Sequence, residues 1–241
     1  MNKVLLSVFA LSTCLFFSQQ SVSSEKAPIE LLETGTYAAE IIKNQTDEKW
    51  FVLTQKLGTH INGEYIPTKY RLKEVTIIIQ DNNDNDWKQK DVKYEGMPEV
   101  PTLAAERPIF LVKGINGMKN REVHTAYFDV NKSCKPGTEH ELIFNDLRYK
   151  LSCTENKNIS EQYQFDVTLG DQVQTLYKGP SVEGYPPNVL LWAGDIDSDG
   201  KLDFYCNLAT HSVYQDKALF LSSHAKNTLV EIAARLNTSG M

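Results

Sequence analysis

Residues 194–203 read Gly-Asp-Ile-Asp-Ser-Asp-Gly-Lys-Leu-Asp. Carboxylates crowded this closely repel one another unless a cation sits among them. Their spacing is the one a hard cation needs. Calcium takes about six to eight oxygen ligands, which must converge on a point without crowding the backbone. Asp195, Asp197 and Asp199, at alternate positions, turn their carboxylates inward around a tight loop. Gly200 sits at the sharp turn, where a residue without Cβ takes conformations that others avoid. Lys201 is expected to offer its backbone carbonyl and point its charge to solvent, and Asp203 closes the ring from the start of the next strand. The expected cofactor is Ca2+, in a structural role, because a cage of four carboxylates leaves little room for a substrate.

Apolar runs flank the loop, Val189–Trp192 before it and Leu202–Leu208 after it. The site is therefore strand–loop–strand. A helix–loop–helix calcium hand requires a glutamate at its twelfth position, and here that position is Cys206, an apolar-phase residue. From Leu190 to Leu208 the segment resembles the calcium loop of the integrin-type FG-GAP repeat. The loop occurs once, so the resemblance does not extend to a propeller, which needs several blades. More broadly, Leu191–Asp195 through Ala218–Ser223 is similar to the C-terminal half of a group of bacterial exported proteins of unassigned function. That resemblance implies a cellular setting and no activity.

Other constellations carry less. Asp81-Asn82-Asn83-Asp84-Asn85-Asp86 alternates oxygen-bearing side chains, but Trp87 stands where a glycine turn is wanted, so it reads as a solvated loop. The histidines (His60, His124, His140, His211, His224) show no metal spacing such as His-Glu-x-x-His. Neither a Gly-x-Ser-x-Gly elbow nor a glycine-rich phosphate loop is present. Tyr163, Tyr177, Tyr185 and Tyr205 fall at strand spacing and read as core or cross-strand pairs.

The elements that must position the loop begin after an export signal. Met-Asn-Lys opens the chain, an apolar run spans Val4–Phe17, and small residues follow at Ser21, Ser23 and Ser24. Residues 1–24 are read as a signal peptide, too short for a membrane span of roughly 20 apolar residues. Residues 25–241 form the exported domain, with a candidate subdivision near 95–107, where Pro98, Pro101 and Pro108 interrupt the chain. After cleavage Cys134, Cys153 and Cys206 remain. Cys206 is in phase with Leu202, Phe204 and Leu208, which places its thiol on an apolar strand face and leaves Cys134–Cys153 as the expected disulfide.

The mature chain alternates β-branched and aromatic runs with polar turns. Arg71–Gln80 reads as one strand. Asn145-Asp146 and Gly170-Asp171 read as hairpin turns. Leu229, Ile232, Ala233 and Leu236 fall at helical spacing and suggest a short terminal helix. The expected fold is mainly β, an antiparallel sandwich or barrel-like sheets with at most short helices.

Acids outnumber Lys and Arg, 31 against 25, and no basic block offsets them, which argues against nucleic acid as a partner. The leading expectation is an exported, periplasmic or secreted protein that is not an enzyme. Its partner would be another protein or a cell-envelope component, as for an inhibitor or immunity protein directed at an envelope-targeting hydrolase. The alternatives are a periplasmic hydrolase or lyase with a dispersed active site, and an adhesion or matrix module.

Overall fold

The computed structural model describes residues 28–42, 49–61, 64–66, 68–82, 88–99, 105–126, 136–156, 158, 162–180, 189–210 and 214–239. The proposed signal peptide, Cys134 and Asp84 lie outside the described residues.

The chain is mainly β, and every strand pairing is antiparallel. In order the strands are β1 (Glu30–Leu32), β2 (Gly35–Ala38), β3 (Trp50–Lys56), β4 (Thr59–Ile61), β5 (Glu64–Ile66), β6 (Lys69–Val75), β7 (Ile77–Asn82), β8 (Gln89–Tyr94) and β9 (Arg107–Lys113). The second half adds β10 (Arg121–Glu122), β11 (Thr138–Phe144), β12 (Leu147–Glu155), β13 (Gln162–Leu169), β14 (Gln172–Pro180), β15 (Leu190–Gly194), β16 (Asp203–Asn207), β17 (Tyr214–Leu221) and β18 (Glu231–Ser239). A 3₁₀ turn, Ser222–His224, follows β17. Among the described residues no helix is long and apolar enough to cross a membrane.

The strands form sheets in the orders β1-β9-β3-β6-β10, β2-β8-β7, β11-β12-β13-β14 and β15-β16-β17-β18, with β4-β5 as a separate hairpin. None of these orders returns to its starting strand, so none of the sheets closes into a barrel. Two hydrophobic cores meet at the C-terminal sheet. Trp192, Tyr205, Leu219 and Leu221 enter a core shared with Phe51, Leu53, Leu72 and Phe110 of the five-stranded sheet. Leu190, Phe204, Cys206, Ala218 and Phe220 enter a second core with Leu142, Leu151, Phe165 and Val167 of the β11–β14 sheet. Successive side chains point to opposite faces of a strand, so Phe204, Tyr205 and Cys206 are buried by different neighbours. The first core also takes side chains from both sides of residues 95–107, among them Val92, Tyr94, Phe110 and Leu111.

Two expectations change. Arg71–Gln80 is not one strand: Val75 pairs with Trp50, whereas Ile77 pairs with Tyr94 in another sheet. At the switch, the Thr76 carbonyl accepts from the Glu95 amide at 3.0 Å. The terminal helix is also absent. Residues 231–239 are strand β18, laid along β17 from Glu231↔Leu221 to Ser239↔Tyr214. Ala234 and Leu236 are buried at strand spacing while Ile232 is exposed. The β17 edge supplies hydrogen-bond partners to every other residue, and this overrides a weak helical spacing. Both hairpins form as the turn residues require: Asn145 and Asp146 have φ of 46° and 63°, and Gly170 has φ of 59°.

Candidate metal centre

The Asp-rich loop closes the β15–β16 hairpin, whose last pair is Gly194↔Asp203. Gly194 is required by close packing, since a Cβ there would lie 2.4 Å from Trp192 Cζ2 and 2.8 Å from the His124 carbonyl. A neighbouring segment runs along this strand end. Thr125 bridges to Gly194, and the Asp195 amide donates to the His124 carbonyl at 2.9 Å. Within the loop Ser198 and Gly200 take positive φ, 67° and 85°, so the tight turn falls where the glycine was expected.

One carboxylate oxygen from each of Asp195, Asp197 and Asp203 lies within 4.8 Å of the others. That span is about two calcium–oxygen bond lengths. Asp195 and Asp203 are buried and Asp197 is half-buried. Asp203 is fully enclosed. Its Oδ2 accepts from the Ile196 amide at 2.8 Å, and its Oδ1 accepts from the Ser222 amide at 2.9 Å and hydroxyl at 3.0 Å. Asp195 accepts from the amides of Asp199 (3.1 Å) and Gly200 (3.0 Å). Asp197 accepts from the Asp199 amide at 3.3 Å and from the Ser223 hydroxyl.

The remaining expected ligands sit differently. Asp199 is exposed, and it is committed to the Ser222 hydroxyl at 2.8 Å and the Lys201 amide at 2.8 Å. Lys201 is exposed. The loop thus gathers three of its four aspartates, with Asp199 beside them.

Electrostatically the group is under-compensated. Among the described residues no lysine, arginine or histidine forms an ion pair with any of the four aspartates. Burial, and then the charge of Asp197, pushes the Asp203 carboxyl well above the usual carboxylate range despite its hydrogen bonds. Burial also raises Asp197, with repulsion from Asp199 and Asp195 adding to it and the Ser223 hydroxyl opposing it. Both shifts state that negative charge is costly there.

Several residues that serve the loop were not legible from its spacing. Ser222 and Ser223 come from the turn after β17. Arg121 Nη2 donates to the carbonyls of Asp195 at 2.9 Å and Ile196 at 2.7 Å. Asn145, from the β11–β12 turn, donates to the Gly200 carbonyl at 2.9 Å, and the Leu202 amide donates to the Tyr149 hydroxyl at 3.3 Å. The only sequence signal was a hydroxyl pair closing an apolar strand at Ser222-Ser223. Arg121, Asn145 and Tyr149 gave none.

Of the expected disulfide only Cys153 is described; it is buried on β12, and Cys134 lies outside the described residues. Cys206 is free and buried, as its strand phase implied, and burial pushes its thiol far up.

No protein-family model, curated protein or solved structure matches this chain significantly.

Proposed function

We propose that the Asp195–Asp203 loop is a calcium site, and that the protein is an exported, non-catalytic β protein whose binding surface calcium holds in shape. One observation carries the metal reading. Three carboxylates converge, two of them buried, and among the described residues no basic side chain forms an ion pair with them. Burying charge without a partner is costly, and proteins meet that cost by pairing or by metal coordination. The donors fit the ion: all are carboxylate oxygens, which suit hard cations, and no thiol or imidazole is among them. Asp195, Asp197 and Asp203 would hold it, Asp199 would turn from Ser222 to join them, and the Lys201 carbonyl would complete the ring. The FG-GAP-like sequence of the loop supports the same choice.

The junction position supports a structural role for calcium. The loop is held by residues from the five-stranded sheet (Arg121) and from the β11–β14 sheet (Asn145, Tyr149), besides its own. An ion here would fasten these layers together. The amino-terminal pattern of residues 1–24 supports export to a periplasm or beyond. There the protein would bind another protein or an envelope component, an inhibitor or immunity role being one concrete form.

Isothermal titration of the metal-stripped protein tests the site. One calcium ion should bind per chain, and Asp203→Asn should remove it. A flat titration in the wild type would refute the site. Pull-down from an envelope extract, with and without chelator, tests the partner: a specific protein retained only with calcium is expected, and its absence under both conditions would count against a binding role.

A further inference from the structure

We infer that Arg121 is a positioning residue for the cation site, setting the backbone from which the ligand carboxylates project. This rests on the calcium reading above. Arg121 sits on β10, paired with Leu72 of the five-stranded sheet. Its guanidinium reaches across to the loop and avoids the carboxylates. Nη2 donates to the Asp195 and Ile196 carbonyls at 2.9 and 2.7 Å, while Nη1 donates to its neighbour's carbonyl, Glu122, at 3.4 Å.

These two carbonyls belong to the consecutive peptide units 195–196 and 196–197. The first is held at both ends, because its N–H, on Ile196, donates to Asp203 Oδ2 at 2.8 Å. The Ile196 side chain is fully buried in the first core, which fixes the middle residue of the pair. Asp195 and Asp197 flank it and inherit its orientation. A site whose backbone is set in advance loses less entropy when it closes on an ion. Without Arg121 both carbonyls lose a charge-assisted donor, and the peptide units are free to tilt.

The sign of the effect separates this role from simple electrostatics. A guanidinium near a cation site repels the cation, so deleting its charge should tighten binding if charge were its whole contribution. Positioning requires the reverse. Metal sites lose about 10- to 100-fold in affinity when a group that orients a ligand is removed.

The test is calcium titration of the whole mature chain at 25 °C, comparing wild type with Arg121→Met and Arg121→Lys. Arg121→Met keeps the apolar stem and should raise Kd by about tenfold or more. Hydrogen exchange at the 195–197 amides should accelerate in the same variant under chelator, a readout that needs no metal. Wild-type or tighter affinity in Arg121→Met would overturn the proposal. Should that variant fail to fold, Arg121→Lys carries the test at unchanged charge, since a single ammonium does not reproduce the planar guanidinium fork. Weakened affinity in it supports positioning, and wild-type affinity overturns it. A wild type that binds no calcium overturns the calcium reading and this inference together. Normal wild-type binding with unaffected variants overturns this inference alone.

Discussion

Replacing Asp197 with alanine separates the part of stability that depends on the cation from the part that does not. Asp197 is half-buried at the mouth of the loop, and its removal takes one of three converging carboxylates without opening a core cavity. If the proposed site binds calcium, the ion at a hundred times Kd should stabilise the wild-type native state by about 2.7 kcal/mol. For a chain of this length that corresponds to a rise in Tm of about 5–10 °C over the chelated protein. Loss of one charge-assisted ligand costs about 3 kcal/mol of binding, a factor of roughly 100 in Kd. At the same calcium concentration the variant then gains only about 0.4 kcal/mol, a shift of about 1 °C. In chelator the ranking changes. The substitution removes a half-buried charge repelled by Asp199 and Asp195, and also the acceptor for the Ser223 hydroxyl and the Asp199 amide. These effects oppose each other, so the two chelated proteins should melt within about 1 kcal/mol of one another. Differential scanning fluorimetry with calcium and with chelator reads both quantities. Asp171→Asn, at the exposed β13–β14 turn, is the control and should keep the full calcium response. The reasoning is refuted if calcium leaves the wild-type curve unmoved, or if Asp171→Asn loses as much as Asp197→Ala.

Three further outcomes follow from other parts of the molecule. Burial alone would raise the Glu106 carboxyl, but hydrogen bonds from Lys73 and Thr54 and the charges of Lys73 and Arg71 outweigh it and hold it low. A depressed folded pKa contributes stability above the ordinary carboxyl range and loses it as pH falls through the folded value. Glu106→Gln should therefore destabilise by about 1 kcal/mol near neutrality, and urea midpoints of the two proteins should converge in acid; a constant gap at all pH would refute the assignment. Gly194→Ala should destabilise by about 1–3 kcal/mol through overpacking, because the new methyl would meet Trp192 and the His124 carbonyl, and an unchanged Tm would show that the strand end yields freely. If Cys134 and Cys153 are bridged, the chain without residues 1–24 should show no reactive thiol when native and one, Cys206, when denatured; three thiols on unfolding would exclude the bridge, whose closure is worth about 3 kcal/mol.

What could be read from the sequence was local, and what could not was set by distant partners. The loop aspartates lie within one short stretch, so their alternate spacing pointed directly to carboxylates that converge, and the same stretch showed Leu202, Phe204 and Cys206 facing one way. That Tyr205, on the opposite face, is also buried depends on Phe110, whose ring lies 4.6 Å from it in a different sheet. A two-sided burial of this kind erases the polar alternation that normally marks a solvent face. The break at Thr76 was hidden for a related reason. Val75 through Ile79 is uniformly β-branched, and its division between two sheets is decided by Trp50 on one side and Tyr94 on the other. The terminal segment shows the competition most plainly: Leu229, Ile232, Ala233 and Leu236 satisfy a helical period, while Ala234 and Leu236 satisfy a strand period, and the open β17 edge settles the contest. At the site the hydroxyls of Ser222 and Ser223 and the guanidinium of Arg121 arrive from 19 to 75 residues away. Spacing within the loop carries no trace of them. The carboxylates are therefore written locally, whereas the groups that orient them are supplied by the stacking of sheets, so substitutions at Arg121, Asn145 or Ser222 should disturb the site as surely as substitutions in the loop itself.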